Sequence, residues 1–307
     1  MNRDLLSIYD LNMSDMDRIF FHAARLKEKL KKGENYQPLS GKTLGMIFDK
    51  SSTRTRLSFE VGMYQLGGLA IFLSNRDTQI GRGESIADTA RIMSRYVNGV
   101  LIRTYAHETV EEFARYATIP VINGLTDLLH PCQILSDLFT ILEKRGSYEG
   151  VKIAYIGDGN NIANSWINAA IRLPIHLSLA CPAGYDPNQA ILARGQQEAA
   201  GRITLHRDPQ AAVYDADVVY TDVWASMGQE AEKEARAKVF ASYQVTGELL
   251  RQARADVLVM HCLPAHRGEE ITAEVIDGRH SIIIDQAENR LHVQKAILEI
   301  LLKNGGS

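Results

Sequence analysis

Ser52-Thr53-Arg54-Thr55-Arg56 follows directly on the apolar run Leu44 to Phe48 and precedes a stretch with Leu57, Val61 and Tyr64 at helical spacing. A strand-to-helix junction of this composition gathers hydroxyls, guanidinium groups and the free N–H groups of a helix amino terminus in one place. Those donors and the positive end of the helix dipole favour an anion, and an arginine fork can hold two phosphate oxygens at once. The segment reads as a phosphate site, although the same residues would also make an ordinary Ser/Thr-capped helix with exposed arginines. Four further segments carry reactive or ligand-binding side chains: His130-Pro131-Cys132-Gln133, Asp158 to Ser165, Asp222 to Gly228, and His261-Cys262-Leu263-Pro264.

Asp222 lies just beyond a strand candidate ending near Tyr220 and is followed by Val223-Trp224-Ala225-Ser226-Met227-Gly228. A carboxylate there suits a cationic partner, whereas a dicarboxylic acceptor would need basic groups, so the segment points to a diamino acid. A helix-capping Asp with a buried Met is the structural alternative. Asn161 and its neighbours follow a strand and open a helix, where side-chain amides can bind an amino-acid carboxylate or amine. His130 taken alone would be a structural histidine beside a helix start. Adjacent strand residues point to opposite faces, so His261 and Cys262 are expected to be poorly placed to chelate one metal or to pair as nucleophile and base. No metal and no cofactor is expected.

Two lookalike motifs fail on context. Gly41-Lys42-Thr43 has Tyr36 where a P-loop needs glycine, and it precedes its strand instead of following one. Gly157-Asp158-Gly159 begins like a dinucleotide fingerprint, but the third glycine is missing and Asn161 stands where backbone must approach pyrophosphate. Nucleotide hydrolysis and NAD binding are therefore disfavoured.

The elements that must position these residues read as two α/β halves. A first helix carries Met16, Ile19, Phe20, Ala23 and Leu30, with Ser14 as its expected cap and Gly33 as its end. Strand candidates at Leu44 to Phe48, Leu69 to Leu73, Val100 to Ile102 and Val121-Ile122 alternate with helical patterns, which predicts a parallel sheet. Pro131 opens a helix with Ile134, Leu135, Leu138 and Leu142 on one face that is expected to connect the halves. A second series has strands at Lys152 to Ile156, Leu177 to Ala180, Ile203 to Leu205, Val218 to Tyr220, Val257 to Met260 and Ile282 to Ile284. A last helix with Leu291, Val293, Ile297, Leu298 and Leu301 could pack back on either half. The expected fold is α/β, two similar domains each with a parallel sheet flanked by helices, divided at 1–147 and 148–307, with a cleft as the expected site. Glu230 to Lys238 reads as a solvated helix face.

Composition narrows the partners. With 34 Lys plus Arg against 37 Asp plus Glu the formal charge is -3, without the basic excess of a nucleic-acid binder. Cys132, Cys181 and Cys262 lie far apart, which fits a reducing cytoplasm better than a disulfide framework or a zinc ribbon. The amino-terminal residues have no apolar leader pattern, and no run reaches the apolar length of a membrane span.

Ser52 to Thr55 with Arg56 to Glu60, His130 to Gln133, the Asp-x-Trp-x-Ser-Met-Gly run from Asp222 and His261 to Pro264 together resemble the aspartate/ornithine carbamoyltransferase family over almost the whole chain. The resemblance implies transfer of a carbamoyl group from carbamoyl phosphate. It implies that Ser52, Thr53, Arg54, Thr55, Gln79, Arg103, His130, Gln133, Cys262, Leu263 and Arg290 bind that donor. It further implies that Asn161, Asp222, Ser226 and Met227 bind L-ornithine, His-Cys-Leu-Pro replacing the His-Pro-Leu-Pro usual in aspartate enzymes. Arg54, Arg103, His130, Asp222 and Cys262 would be the catalytic set, and direct attack would pass through a tetrahedral intermediate. Putrescine and N-acetylornithine are rival acceptors, and both reaction directions use the same groups. Arg290 without the resemblance would be a surface arginine. The segment Thr78 to Ser85 reaches a neighbouring subunit's site in this family, so a homotrimer is implied.

Overall fold

The computed structural model of the chain describes residues 1–74, 83–225 and 232–304. It divides into two compact units, Met1–Phe139 with Glu288–Ser307, and Thr140–Ala287.

The first unit runs α1 (Met13–Lys31), β1 (Thr43–Phe48), α2 (Thr53–Gln65), β2 (Leu69–Ser74), α3 (Ile86–Tyr96), β3 (Gly99–Arg103), α4 (His107–Tyr116), β4 (Val121–Leu125) and into α5 (Pro131–Arg145). Its parallel sheet has the order β2-β1-β3-β4. Helix α1 starts two residues earlier than Ser14 would set: the Asn12 side chain accepts from Asp15 N, and Asp15 accepts from Asn12 N in return. This reciprocal pair satisfies two otherwise orphaned donors, which one serine cannot do. Gly33, at φ 67°, closes the helix as expected.

The second unit holds β5 (Lys152–Ile156), α6 (Asn161–Arg172), β6 (His176–Ala180), α7 (Gln189–Glu198), β7 (Ile203–His206), α8 (Pro209–Val213), β8 (Val218–Thr221), α9 (Lys233–Phe240), α10 (Gly247–Leu250), β9 (Leu258–His261), α11 (Ala273–Ile276) and the start of α12 (Ile283–Asn304). Its parallel sheet is ordered β7-β6-β5-β8-β9. Trp224, Phe240, Tyr243 and Val259 pack in one buried cluster with Ala154 and Ile156 of the central strand. Each such side chain contributes on the order of 1.5–3 kcal/mol by leaving water, which anchors the strand ends where the loops depart.

Two expectations need correction. Ile282 to Ile284 is no strand, since Ser281 makes only an isolated bridge to Val259 and α12 begins at Ile283. The run is too short to add a strand, and burial of Ile282 and Ile283 beside an Ile284 that is 78 % exposed is a helix-entry pattern. Division at 147/148 also assigns the last residues to the second half, whereas Glu288–Ser307 clusters with the first. Polar locks account for this. Buried Glu299 accepts from Arg25 and His22 of α1 and from Tyr36, and Lys295 donates to Gln65 of α2.

In each sheet the strand order reverses beside the strand that enters first. β2 and β3 flank β1, and β6 and β8 flank β5. Loops leaving the carboxyl ends of the strands at such a switch point diverge and leave a crevice, the usual ligand position in open α/β sheets. The loops concerned are Asp49 to Ser52 after β1, and Gly157 to Asn160 and Asp222 after β5 and β8.

Candidate active site

In the first unit, register pairs Phe48 with Arg103, so the β1 loop and the end of β3 lie side by side. Ser52 caps α2 by accepting from Thr55 N at 3.2 Å. That places Thr53, Arg54 and Thr55 in the first turn, where the helix still has unpaired N–H groups. Buried Arg103 donates through Nε to the Lys50 carbonyl at 3.2 Å. Arg290, only 4 % exposed, donates to Thr55 Oγ1 at 2.8 Å and to Gln133 Oε1 at 3.0 Å, while Gln133 donates to Asp137 at 2.8 Å. A helix near the chain's end is thus tied to the helix-start loop and to α5. Among the described residues the Arg54 Nε is buried without a hydrogen-bond partner.

This cluster is short of negative charge. Lys50 is buried and pairs with Asp127, yet Arg54, Arg103 and Arg290 all act on His130. Burial first, then the charges of Arg290, Arg103 and Arg54, hold the His130 imidazole well below its ordinary range and therefore neutral at pH 7. Three guanidinium groups, a neutral imidazole and a helix amino terminus make a cradle for a polyanion. Cys132 is also here, but burial pushes its thiol up to about 12 against the opposing pull of Arg290, so it is no thiolate nucleophile.

In the second unit, Thr221 donates to the Ile156 carbonyl at 2.7 Å and sews the ends of β8 and β5 together. Gly159 is obligatory beside them, since a Cβ there would lie 2.2 Å from the Asp186 carbonyl carbon and from Pro187 N. Asp222, 6 % exposed, is held on both oxygens. Asn160 Nδ2 donates to Oδ2 at 2.8 Å, and the Cys262 thiol and Val223 N donate to Oδ1 at 2.9 and 2.8 Å. Asn160, which donates to Asp222, is also the cap of α6, and Asn161 takes the first position of that helix. Asp158 pairs with Arg236 at 3.0 Å, and Arg236 further donates to the Trp224 carbonyl at 2.8 Å and to Glu232 at 3.0 Å. Burial raises the Asp158 carboxyl to about 6 with help from Asp222 and Glu232, and against the stabilising Arg236. Arg236 is 6 % exposed. It interrupts the face that its charge-rich surroundings had marked as solvated, and only its i−4 pairing with Glu232 was visible in the sequence.

His261 and Cys262 are closer to common ligands than strand alternation suggests: ligand-type atoms of Asp222, His261 and Cys262 lie within 4.8 Å of one another. Alternation stops because β9 ends at His261 and Leu263 turns left-handed at φ 59°. Hydrogen bonding already occupies the imidazole. Leu263 N donates to Nδ1 at 2.8 Å, which places the proton on Nε2, and Nε2 donates to Glu270 at 3.1 Å. Burial opposes the Glu270 charge, but the bonds from His261 and His266 N prevail and keep this carboxyl below its ordinary range. His261 therefore braces the loop that presents Cys262 and Leu263, and it does not activate the thiol.

The expected site residues fall into two groups: Ser52, Thr53, Arg54, Thr55, Arg103, His130, Gln133 and Arg290 in the first unit, and Asn161, Asp222, Cys262 and Leu263 in the second. Gln79, Ser226 and Met227 lie outside the described residues. The sequence reading marks Asp158 to Ser165 as ligand-binding without a separate role for Asp158 or Asn160, and it gives Lys50 and Arg236 no site role. Asn160 offers a further signal as a good cap residue at a strand-to-helix junction.

Residues 3–143 match the family domain described as "Aspartate/ornithine carbamoyltransferase, carbamoyl-P binding domain", and residues 149–301 match its "Asp/Orn binding domain". The chain belongs to the aspartate/ornithine carbamoyltransferase family. Among relatives in that family, an ornithine carbamoyltransferase of Syntrophus aciditrophicus is 72% identical over 98% of this chain and 100% of its own length. One from Geobacter metallireducens is 55% identical over 99% of this chain and 100% of its own. A solved ornithine carbamoyltransferase from Pyrococcus furiosus superposes with a TM-score of 0.95 at 51% identity, covering 98% of this chain and 97% of that one. The anion cradle lies in the part matched to the carbamoyl-phosphate domain except for Arg290, which, like the Asp222 cluster, falls in the part matched to the amino-acid domain.

Proposed function

We propose that this chain transfers the carbamoyl group of carbamoyl phosphate to the side-chain amine of L-ornithine, giving L-citrulline and phosphate. The observation that carries the reading is Asp222, a buried carboxylate clamped by Asn160 and Cys262 at the switch point of the second sheet, in a chain whose first unit presents a cradle for a phosphate. Ser52, Thr53, Arg54, Thr55, Gln79, Arg103, His130, Gln133, Cys262, Leu263 and Arg290 hold the donor. Asn161, Asp222, Ser226 and Met227 hold ornithine.

An amine of the lysine type has a pKa of about 10.4, so roughly one molecule in two thousand is neutral at pH 7, a cost of about 4–5 kcal/mol. Asp222 holds the amino-acid end and Cys262 orients the side-chain amine, which attacks the carbonyl carbon directly; the C–N bond forms as a tetrahedral oxyanion develops. Arg54, Arg103, Thr55 and His130 meet the growing charge with donors already in place, each worth several kcal/mol when well aimed. The C–O bond to phosphate then breaks, and the departing phosphate takes the amine's proton.

We further assign a cytoplasmic homotrimer. Three cysteines without a disulfide favour the compartment. Exposed Leu57, Val61 and Tyr64 of α2 beside Leu69 and Ile71 of the edge strand β2 offer an apolar face to another copy.

The test is citrulline formation from carbamoyl phosphate and L-ornithine, with L-aspartate, putrescine and N-acetylornithine in parallel. Product with ornithine alone supports both halves of the reading. Product only with another amine refutes the acceptor, and no product with any of them refutes the activity. Sedimentation velocity checks the trimer, which a monomeric or dimeric species would overturn.

A further inference from the structure

Lys295 of α12 is 3 % exposed, and its stem crosses α2 at Gly62, where an added Cβ would come within 3.2 Å of the Lys295 Cγ. Its Nζ donates to Gln65 Oε1 at 2.8 Å, a neutral amide oxygen. Among the described residues no carboxylate makes an ion pair with it. Glu299, one turn further along α12, is engaged by Tyr36 at 2.5 Å, Arg25 at 2.9 Å and His22 at 3.0 Å. Glu34, on the segment after α1, is engaged by Lys29 at 2.5 Å.

The lysine also lines a cavity of about 270 Å³ with Lys29, Glu34, Tyr36, Tyr64 and Gln65. The site is thus a desolvated amine, with one neutral acceptor, beside a space that a small molecule can enter. A lysine so placed loses its proton readily and becomes a nucleophile.

We propose that Lys295 is a modification site, the lysine of this chain that small neutral electrophiles of the isocyanate class acylate first. With isocyanic acid the Nζ lone pair forms a new N–C bond and the C=N π bond opens. The proton passes from Nζ to the isocyanate nitrogen, and nothing is expelled. The product is a neutral urea, and the cavity has room for its added atoms.

The titration supports the geometry. Burial pushes the Lys295 ammonium down to about 8, whereas exposed Lys233 is raised by its bond to Glu269. At pH 7.5 roughly a quarter of Lys295 is neutral, against about one in a thousand for an ordinary lysine. Carbamoyl phosphate itself yields isocyanic acid when it loses phosphate, so on the function proposed above the chain works in the presence of this reagent. Cyanate alone tests the site without that reading.

The experiment treats the full chain with millimolar cyanate at pH 7.5 and follows each lysine by peptide mass mapping, with the terminal amine scored separately. Lys295 should react about tenfold or more faster than exposed Lys238. Because ionisation removes isocyanic acid as pH rises, the ratio of the two rates is the readout: the concentration of the reagent cancels, and the advantage of Lys295 should shrink above pH 8, where its amine is already neutral. Equal or slower reaction at Lys295 overturns the proposal. Gln65→Glu supplies a carboxylate partner and should slow Lys295 by about tenfold or more without altering Lys238. An unchanged Lys295 rate in a variant whose circular dichroism matches the parent overturns it too, and the wild-type comparison stands if that variant fails to fold.

Discussion

Arg236→Met should destabilise the second unit by an amount that depends on pH in a calculable way. Held at about 6 against an ordinary 3.8, the Asp158 carboxylate costs the folded state about 3 kcal/mol once ionised. The folded value is the higher one, so the folded state binds the extra proton between those limits. Stability falls as pH rises through that window, and the full cost is present above it. Removing Arg236 takes away the cation that opposes burial and lifts Asp158 further. The cost is then capped by protonation, at about 4 kcal/mol at pH 7 and about 6 at pH 8. The Asp158-linked loss from the substitution is therefore near zero at pH 5, up to about 1 kcal/mol at pH 7 and up to about 3 at pH 8. A pH-independent part of about 1–3 kcal/mol for the lost bonds to Trp224 and Glu232 adds to it. Both tryptophans of the chain, Trp166 and Trp224, lie buried in the second unit, so urea unfolding followed by their fluorescence reports that unit alone. A loss equal at pH 5 and pH 8 would refute the argument, as would failure of Asp158→Asn to remove the pH dependence.

Arg236 also bonds Trp224 and Glu232, which bracket Ser226 and Met227 in the chain, so Arg236→Met should raise the KM for ornithine about tenfold while leaving that for carbamoyl phosphate nearly unchanged; equal effects on both would count against this positioning role. Arg54→Ala should lower turnover by about 10²–10³ with the unfolding midpoint preserved, and unaltered steady-state rates would sink its assignment to the donor. Cys262→Ala should weaken ornithine use by about tenfold, the worth of a hydrogen bond to a charged group, and leave chemistry in place; a trapped carbamoyl-cysteine would overturn direct attack. Because the folded His130 value lies below the ordinary 6.5, the unfolded chain binds the proton first and stability is lost as pH falls below that point. His130→Gln should lessen this acid sensitivity, and an unchanged slope in the stability-against-pH curve would contradict it.

Local pattern made much of this protein legible. The alternation of short β-branched runs with amphipathic stretches required parallel sheets, because both faces of each strand had to be covered by helices. Ser52 to Thr55 could be read as an anion-binding helix start because that chemistry lies in consecutive residues, and the Asp222 segment pointed to a cationic acceptor by charge alone. Where the sequence reading failed, contacts between distant segments decide the outcome. Asn160 meets Asp222 across 62 positions and Arg236 meets Asp158 across 78, and no periodicity encodes such a meeting. Ile282 to Ile284 has the composition of a strand, but α12 claims it because Gln286 donates from N to the Ile282 carbonyl and accepts from His261 N. Arg290 reads as a surface residue until α12 is folded against α2 and α5. Sequence by itself determined the fold class and the kinds of chemistry, since those follow from local spacing and side-chain type. Tertiary structure alone decided which charges are desolvated and which partner each has, because burial and electrostatic coupling depend on distances in space and not along the chain.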